Sequence, residues 1–228
     1  MPLTLKSRFV GNVYIIQCSG RIVIGPEVKE LEAALDDAAH EFSRFVLSLA
    51  ELTRLDSIGL GLLVRFTERL HKRGGDIRLA APPAFLVTLL ELTQLSSTLR
   101  CFATEEEAIL SFLKQRPAED AAAQKQRGPR VLFLDESSEL CVFVRTILRQ
   151  QGLDVRSSCS FSDARLLLQV DTVDYLLVGP GTPERSSAKV LGSLTPLAPK
   201  AIALHLDDDF KDRDAQDATN ALLQLFAK

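Results

Sequence analysis

The chain has 228 residues, of which 46% are hydrophobic and 25% are charged, and its formal net charge at pH 7 is −3. This composition supports buried cores and excludes a globally disordered protein, and no apolar run reaches the roughly 18 residues of a membrane-spanning helix. Neither half carries the basic excess that binding to a phosphate backbone requires, so direct nucleic-acid binding is not expected.

The four cysteines are spread along the chain and form no C-x-x-C pair. Such spacing favours free thiols in a reducing compartment over disulfides or a zinc site. The first residues lack the apolar core of a secretory signal peptide. We therefore expect a cytoplasmic protein without membrane insertion, with no metal ion and no other cofactor.

Strand-like and helix-like runs alternate in the first half of the chain. The run "NVYIIQCSGRIV" predicts a strand with a turn at Gly20, and "GPEVKELEAALDDAAHEF" predicts a helix that starts at Pro26. The strand "RFVLSLAEL", the helix "GLLVRFTERLHKR", the strand "DIRLAA", the helix "PAFLVTLLELTQL", the strand "RCFA" and the helix "EEEAILSFLKQ" follow. This order predicts an α/β domain with a mixed, mostly parallel sheet flanked by helices.

The second half repeats the α/β pattern on a smaller scale. Residues 115–130, "QRPAEDAAAQKQRGPR", contain two prolines and are apolar only through alanine, which is typical of a linker. After them "RVLFLD", "DVRSSC", "DYLLVG" and "KAIALHL" predict four strands with helices between them. We therefore expect a first domain over residues 1–114, a linker over 115–130 and a second domain over 131–228.

The segment "RLDSIGLGLLVRF" places Ser57 between a buried strand and a helix. Serine is a favoured helix N-cap, and Asp56 is equally suited to that position. A serine hydrolase is not supported, because only half of a G-x-S-x-G elbow is present and no histidine is obviously placed as a base. The spacing of a phosphate-binding or dinucleotide loop is also missing. Covalent phosphorylation remains open, because a helix N-terminus tolerates an added anion.

The region from "FVLSLAELTRLDSIGLGLL" onward resembles the STAS domain of bacterial anti-sigma factor antagonists. The shared features are D-S-x-G-L-G at a helix start, R-G-G after that helix, and a proline-led helix that ends in L-x-L-T-x-L. An acidic-capped last helix completes the pattern, and the resemblance extends from residue 1 to about residue 114. It implies a STAS fold for the whole first domain.

The resemblance also implies a phosphorylation switch without catalysis by the antagonist itself. Ser57 lies at the position that the partner phosphorylates, and this partner is an anti-sigma factor and GHKL-type serine kinase that uses ATP. The unmodified form binds the partner and frees the sigma factor for transcription, and a phosphatase resets the phosphorylated form. The partner-binding residues expected on this basis are Asp56, Ser57, Ile58, Gly59, Leu60 and Gly61.

Two positions differ from the family pattern, and two other functions stay open. Val23 and Ser48 stand where family members commonly carry acidic residues or, near the strand end, asparagine. Some STAS domains act as scaffolds that are not phosphorylated, and others are accessory subunits of a lipid-transport ATPase. Either role would fit this chain if Ser57 were only a helix cap.

The start of the second domain, "RVLFLDESSEL", resembles the first strand of a two-component receiver domain. Asp135 and Glu136 match the acidic pair that holds Mg²⁺, but Gly179 occupies the phosphoacceptor position and has no side chain to phosphorylate. No strand with the receiver lysine is found in "LDDDFKDRDAQDATNALLQLFAK". The resemblance implies a truncated, doubly wound, flavodoxin-like sheet with a vestigial acidic pair. Such a module could serve interaction, including self-association.

Overall fold

The computed structural model describes residues 2–114, 128–181 and 187–226, with the side chains of 187 and 188 left out. The chain divides into two compact units, one comprising the residues up to 8 and 12–112, the other 9–11 and the residues from 113 onward. Most of the predicted linker, residues 115–127, lies outside the described residues. None of the helices described has the length and apolar character needed to cross a bilayer.

The first unit is built on a mixed sheet. Its strands follow the spatial order β1-β2-β3-β5-β6, with β4 paired to the end of β2, and β2, β3, β5 and β6 run parallel. The strands are β1 (Thr4–Val10), β2 (Val13–Ile22), β3 (Arg44–Ser48), β4 (Leu52–Leu55), β5 (Asp76–Ala80) and β6 (Arg100–Phe102). The central strand β3 is buried along its middle three residues, as expected for a parallel strand that helices cover.

Four helices belong to this unit: α1 (Pro26–Ala38), α2 (Ser57–His71), α3 (Ala84–Leu92) and α4 (Glu105–Lys114). Pro26 is the first residue of α1, where its missing N–H is not needed by the helix. The buried stripe of α2 includes Leu62, Leu63 and Phe66, which recur at helical spacing. The predicted α/β architecture of this half is therefore confirmed.

Two local predictions in the first half are wrong. Gly20 is not in a turn, because β2 continues through it with a positive φ of 98° and a register shift between Gly20 and Arg21. This bulge redirects the strand, so its first part pairs with β3 and its last residues pair with β4. The run "RFVLSLAEL" is accordingly split, since β3 ends at Ser48 and a separate strand begins at Leu52. Together these changes bring Ile22 beside Leu55, at the start of α2.

The second unit has four parallel strands in the order β10-β9-β7-β8. They are β7 (Arg130–Leu134), β8 (Asp154–Ser158), β9 (Tyr175–Val178) and β10 (Ile202–His205), and the helices are α5 (Ser138–Gln150), α6 (Phe161–Val170), α7 (Ser187–Leu194) and α8 (Ala215–Phe226). Numbered along this unit the strand order is 2-1-3-4, which is the flavodoxin-like order. Among the described residues no fifth strand follows β10. The predicted truncated, doubly wound sheet is confirmed.

Candidate functional site

Asp56 is the single residue between β4 and α2, and it caps the helix. Its Oδ1 accepts hydrogen bonds from the backbone N–H groups of Ile58 at 3.0 Å and Gly59 at 2.9 Å. Its Oδ2 accepts a third bond, from the backbone N–H of Ile24, at 2.7 Å. The carboxylate therefore satisfies two free donors of the first turn and also holds the loop between β2 and α1 against the helix start.

The same three bonds keep Asp56 ionised. They lower the pKa of Asp56 below its usual value of 3.8, and the bonds from Gly59 and Ile24 are the two largest causes. The charge of Arg54 lowers this pKa further by a smaller amount. At neutral pH the start of α2 therefore carries a fixed negative charge.

Ser57 is the first residue of α2 and is exposed. Because Asp56 makes the capping bonds, the structure selects Asp56 from the two caps that the sequence leaves open. The capping bonds are made by the Asp56 carboxylate, so the Ser57 hydroxyl is not needed to cap α2. The hydroxyl is therefore accessible to a modifying enzyme.

Two large apolar side chains flank the Asp56 carboxylate. Ile24 is 71% exposed and Ile58 is 44% exposed, and their backbone N–H groups bond to opposite oxygens of Asp56. Single exposed apolar residues are common, but two that share one anchor beside an exposed serine form a small apolar surface. Ile24 was not among the residues predicted for the site, because in the sequence it reads as the end of the apolar run Ile22-Val23-Ile24 before Gly25-Pro26.

The two glycines of α2 have different environments. A Cβ atom at Gly59 would lie 2.8 Å from the Ile22 carbonyl oxygen and equally close to the side chains of Ile22 and Leu55, so the helix can approach β2 only with glycine here. A Cβ at Gly61 would meet only the mobile end of Arg65, at 3.3 Å. Gly59 supports the interpretation of close helix–sheet packing.

The predicted partner-binding set needs correction on burial. Gly59 and Leu60 are buried, whereas Ser57 and Ile58 are exposed, and Asp56 and Gly61 are half-buried. In the folded state Ser57 and Ile58 therefore present more of their side chains to solvent than the buried pair does. We name the surface formed by Ile24, Ser57 and Ile58 around Asp56 the serine surface.

The two departures from the family pattern are Val23 and Ser48. Both lie at strand ends and are half-buried. Ser48 pairs in register with Gln17 of β2, and Val23 directly follows β2. The buried acid of the neighbouring helix is Glu27, whose Oε1 lies 3.1 Å from the Arg21 side chain. Neither departure therefore adds a charge beside Ser57, and Asp56 remains the ionised group of the serine surface.

In the second unit, Asp135 lies at the end of β7 and is fully buried. Its Oδ1 accepts a hydrogen bond from the backbone N–H of Ser137 at 2.7 Å, and its Oδ2 accepts one from Gly181 at 2.7 Å. The Lys211 Nζ lies 3.6 Å from Oδ1. The carboxylate is therefore neutralised and hydrogen-bonded within the protein.

The vestigial acidic pair does not converge on a metal site. A Cβ at Gly179 would overlap the Asp135 carboxylate, so this carboxylate fills the space where a phosphoacceptor side chain would begin. Glu136 is exposed, and Asp135 already has two N–H donors and a lysine. Such an arrangement does not fit Mg²⁺, which needs open carboxylate oxygens. Across the described ranges, no group of three or more His, Cys, Asp or Glu residues could hold a metal ion.

Lys211 was not predicted, because a receiver lysine is expected on a fifth strand and Lys211 is not on a strand. The structure places Lys211 in a short 3₁₀ helix, Asp208–Asp212, after β10. The acidic run that precedes it, residues 207–209, is exposed. The signal available was the single lysine that follows this run in "DDDFKD".

Comparison with known proteins gives a family match for the first unit: residues 4–108 match the family model of the STAS domain. An anti-sigma factor antagonist from Mycobacterium paratuberculosis is 24% identical, with 48% of this chain and 92% of that chain covered and a TM-score of 0.42. The phosphorylated form of the Bacillus cell fate determinant SpoIIAA is 22% identical, with 46% and 96% covered and a TM-score of 0.40. The chemotaxis response regulator CheY4 of Vibrio cholerae is 15% identical, with 43% and 96% covered and a TM-score of 0.35.

Proposed function

Since residues 4–108 form a STAS domain, we propose that this chain is a cytoplasmic regulatory protein of the anti-sigma factor antagonist type, without enzymatic activity. It binds an anti-sigma factor that is also a GHKL-type serine kinase, and phosphorylation of Ser57 ends this binding. A phosphatase restores the unmodified form, so that transcription follows the phosphorylation state. In the same proposal, residues 1–114 and 131–228 are separate domains joined by residues 115–130.

The observation that carries the proposal is the division of labour between Asp56 and Ser57. Asp56 makes the capping bonds, and Ser57 is exposed at the first position of the helix. A group added to Ser57 therefore removes no hydrogen bond from the fold. A helix N-terminus also tolerates an anion, so the folded state is expected to survive phosphorylation.

The switch would act through the apolar part of the serine surface. A partner that packs on Ile24 and Ile58 must also remove water from the exposed Ser57, which directly precedes Ile58. A phosphate there adds about −1.5 to −2 charges at pH 7. It cannot take the N–H groups of Ile58 and Gly59, because Asp56 already holds them. The dianion stays hydrated beside a second negative charge, and burying it against an apolar partner is unfavourable.

The test uses the purified chain and the GHKL-type anti-sigma kinases of the same genome. With ATP, the wild type is expected to gain one phosphate on Ser57, detected by mass spectrometry, and Ser57→Ala is expected to gain none. Ser57→Asp should weaken kinase binding by roughly tenfold or more, because a buried unpaired charge costs several kcal/mol. Ser97→Asp provides a matched control, since Ser97 is an exposed serine of the same unit.

The outcomes separate the proposal from its rivals. If a kinase binds wild type, Ser57→Ala and Ser57→Asp equally and no phosphate appears, the chain is a STAS scaffold without a switch. Copurification with a lipid-transport ATPase, in place of any kinase, would instead favour the accessory-subunit role. Equal loss of binding in Ser57→Asp and Ser97→Asp would show a general charge effect and contradict a specific switch at Ser57.

A further inference from the structure

The second unit contains two neighbouring thiols that the proposed function does not use. Cys141, in the second turn of α5, is fully buried, and Cys159, directly after β8, is half-buried. Helix α5 packs against β8, which brings the two residues together. The Cys141 sulfur lies 3.6 Å from the carbonyl oxygen of Ser158, the residue before Cys159, and the Cys159 sulfur lies 3.6 Å from the hydroxyl oxygen of Ser138, one turn before Cys141. The unit therefore holds a cysteine pair that the sequence spacing did not reveal.

Cys159 has the environment of a reactive thiol. Its sulfur lies 3.6 Å from the hydroxyl oxygen of Ser138, the first residue of α5, so it faces the positive end of that helix. The neighbouring Cys141 thiol is the largest cause that lowers the pKa of Cys159, to about 7. The carboxylates of Asp163 and Asp135 oppose this effect. A substantial fraction of Cys159 is therefore thiolate near neutral pH.

Cys141 has the opposite character. Its S–H lies within hydrogen-bonding distance of two carbonyl oxygens, that of Asp135 at 3.2 Å and that of Ser158 at 3.6 Å. The neighbouring Cys159 and burial both raise the pKa of Cys141, which keeps this thiol protonated. The pair thus combines one accessible nucleophile with one sheltered thiol beside it.

We propose that Cys159 is a site of reversible oxidation and that Cys141 converts the oxidised form into an intramolecular disulfide. The oxidant belongs to the hydroperoxide class. This inference does not rest on Ser57 or on the STAS domain, and it assigns the second unit a chemical input of its own.

The disulfide forms in two steps, oxidation of Cys159 and attack by Cys141. The Cys159 thiolate attacks one oxygen of the hydroperoxide, an S–O bond forms as the O–O bond breaks, and the leaving oxygen departs as hydroxide or alkoxide. The Cys141 sulfur then attacks the Cys159 sulfenic sulfur, an S–S bond forms as the S–O bond breaks, and the hydroxyl group leaves as water with the Cys141 proton. A low-molecular-weight thiol or dithiol reduces the disulfide and restores both cysteines.

The disulfide would join the start of α5 to the end of β8, beside the backbone of Asp135. The carbonyl oxygens of Asp135 and Ser158 would lose the Cys141 S–H as a donor, so oxidation changes the hydrogen bonds at the carboxyl ends of β7 and β8. Oxidation would therefore give the second unit an input other than phosphorylation, which the glycine at position 179 does not allow.

The experiment treats the full-length chain with hydrogen peroxide at about pH 7, followed by alkylation of free thiols and peptide mass spectrometry. We expect a Cys141–Cys159 linked peptide that disappears on reduction with dithiothreitol. In Cys141→Ser, Cys159 should stop at the sulfenic acid and be trapped by dimedone. In Cys159→Ser, Cys141 should remain a thiol under the same conditions.

The other two cysteines are controls within the same molecule. Cys101 is exposed, but burial of its sulfur raises its pKa, and burial of Cys18 raises the pKa of that thiol to about 12. Without oxidant, Cys159 should be alkylated roughly tenfold faster than Cys101, because thiolate fraction outweighs exposure. Cys18 should stay unlabelled while the chain is folded.

Several results would overturn the proposal. If Cys101 were alkylated as fast as Cys159, Cys159 would not be an unusually reactive thiol. If a sulfenic acid accumulated on Cys159 in the wild type and no disulfide formed, Cys141 would not be the resolving thiol. A disulfide to Cys18, to Cys101 or between chains would contradict the role of Cys141 in the same way. If the serine variants fail to fold, the wild-type comparison of Cys159 with Cys101 and the mapped disulfide still decide the question.

Discussion

Asp56 and Asp135 hold comparable positions in the two units, and their surroundings differ in almost every other respect. Each follows a parallel strand, precedes a helix, and accepts backbone N–H bonds with both carboxylate oxygens. Asp56 is half-buried and stands beside the exposed Ser57. Asp135 is fully buried, lies against Gly179, and is paired with Lys211.

The difference shows how one local device supports two uses. Because the Asp56 carboxylate caps α2, the Ser57 side chain is not needed for capping and stays exposed. The buried Asp135 carboxylate already accepts two backbone N–H bonds and faces the ammonium of the exposed Lys211, so it has no open oxygen for a metal ion, and Gly179 beside it has no side chain to phosphorylate. The hydroxyl beside Asp56 is therefore accessible to solvent, whereas the Asp135 carboxylate is buried.

The largest expected effect follows from the burial of Asp135. Asp135→Ala leaves the N–H groups of Ser137 and Gly181 without their acceptor inside the unit, and should lower the free energy of unfolding of the second unit by about 2–4 kcal/mol. Urea denaturation measures the loss, and hydrogen exchange of β7 peptides assigns it to this unit. Glu136→Ala is the control, because Glu136 is exposed and should change stability by less than about 0.5 kcal/mol. Equal effects of the two variants would contradict the conclusion that the buried Asp135 carboxylate stabilises this unit through its hydrogen bonds.

The contact of Gly179 with Asp135 gives the next largest effect. A Cβ at Gly179 would overlap the carboxylate, so Gly179→Ala should destabilise the second unit by about 1–3 kcal/mol or more through overpacking. Gly192→Ala is the control, since its Cβ would meet nothing within 4 Å, and alanine should be neutral or favourable there. Thermal unfolding of both variants makes the comparison. A neutral Gly179→Ala would mean that the space for a phosphoacceptor is still open.

In the first unit, the close approach of α2 to β2 is tested by paired glycine variants. Gly59→Ala places a methyl group 2.8 Å from Ile22 and Leu55 and should cost about 1–3 kcal/mol in the free energy of unfolding. Gly61→Ala meets only the end of Arg65 and should stabilise the helix by roughly 0.5–1 kcal/mol. Urea denaturation should therefore give opposite signs. The same sign for both would contradict the difference between the two glycines.

The smallest predicted loss concerns the cap itself. Asp56→Ala should lower the free energy of unfolding by about 1–2 kcal/mol, as for other N-cap aspartates, whereas Ser57→Ala should change it by less than about 0.5 kcal/mol. If Ser57→Ala were the more destabilising variant, Ser57 would be the cap and the basis for the proposed switch would be lost.

The lowered pKa of Asp56 sets the pH range of this contribution. Because the folded state binds the proton of Asp56 less readily than the unfolded chain, the stabilisation is fully present above the usual pKa of 3.8 and is lost as the pH falls through the lower folded value. The difference in stability between wild type and Asp56→Ala should therefore be constant at neutral pH and shrink below about pH 4. Unfolding curves over this range measure it, and a difference that persisted at lower pH would contradict the assignment.

Several features of the fold could be predicted from local patterns. Alternating strand-like and helix-like runs indicate the α/β class of both units, and the D-S-x-G-L-G segment indicates the STAS domain that the family match confirms at residues 4–108. The missing fifth strand of the second unit was also visible, because no apolar run follows "KAIALHL" before the last helix. These features depend on neighbouring residues or on periodicity, which one sequence displays directly.

The sequence by itself determined which residue types follow the strands: an aspartate and then a serine in the first unit, and an aspartate after one strand and a glycine after another in the second. Only the tertiary structure decided that Asp56 is the cap, that Ile24 joins the serine surface, and that Lys211 seals Asp135. The physical reason is that each of these outcomes depends on hydrogen bonds or charges between segments far apart in the chain. Strand pairing and helix packing bring those segments together, and local propensity does not record which partner a carboxylate will meet.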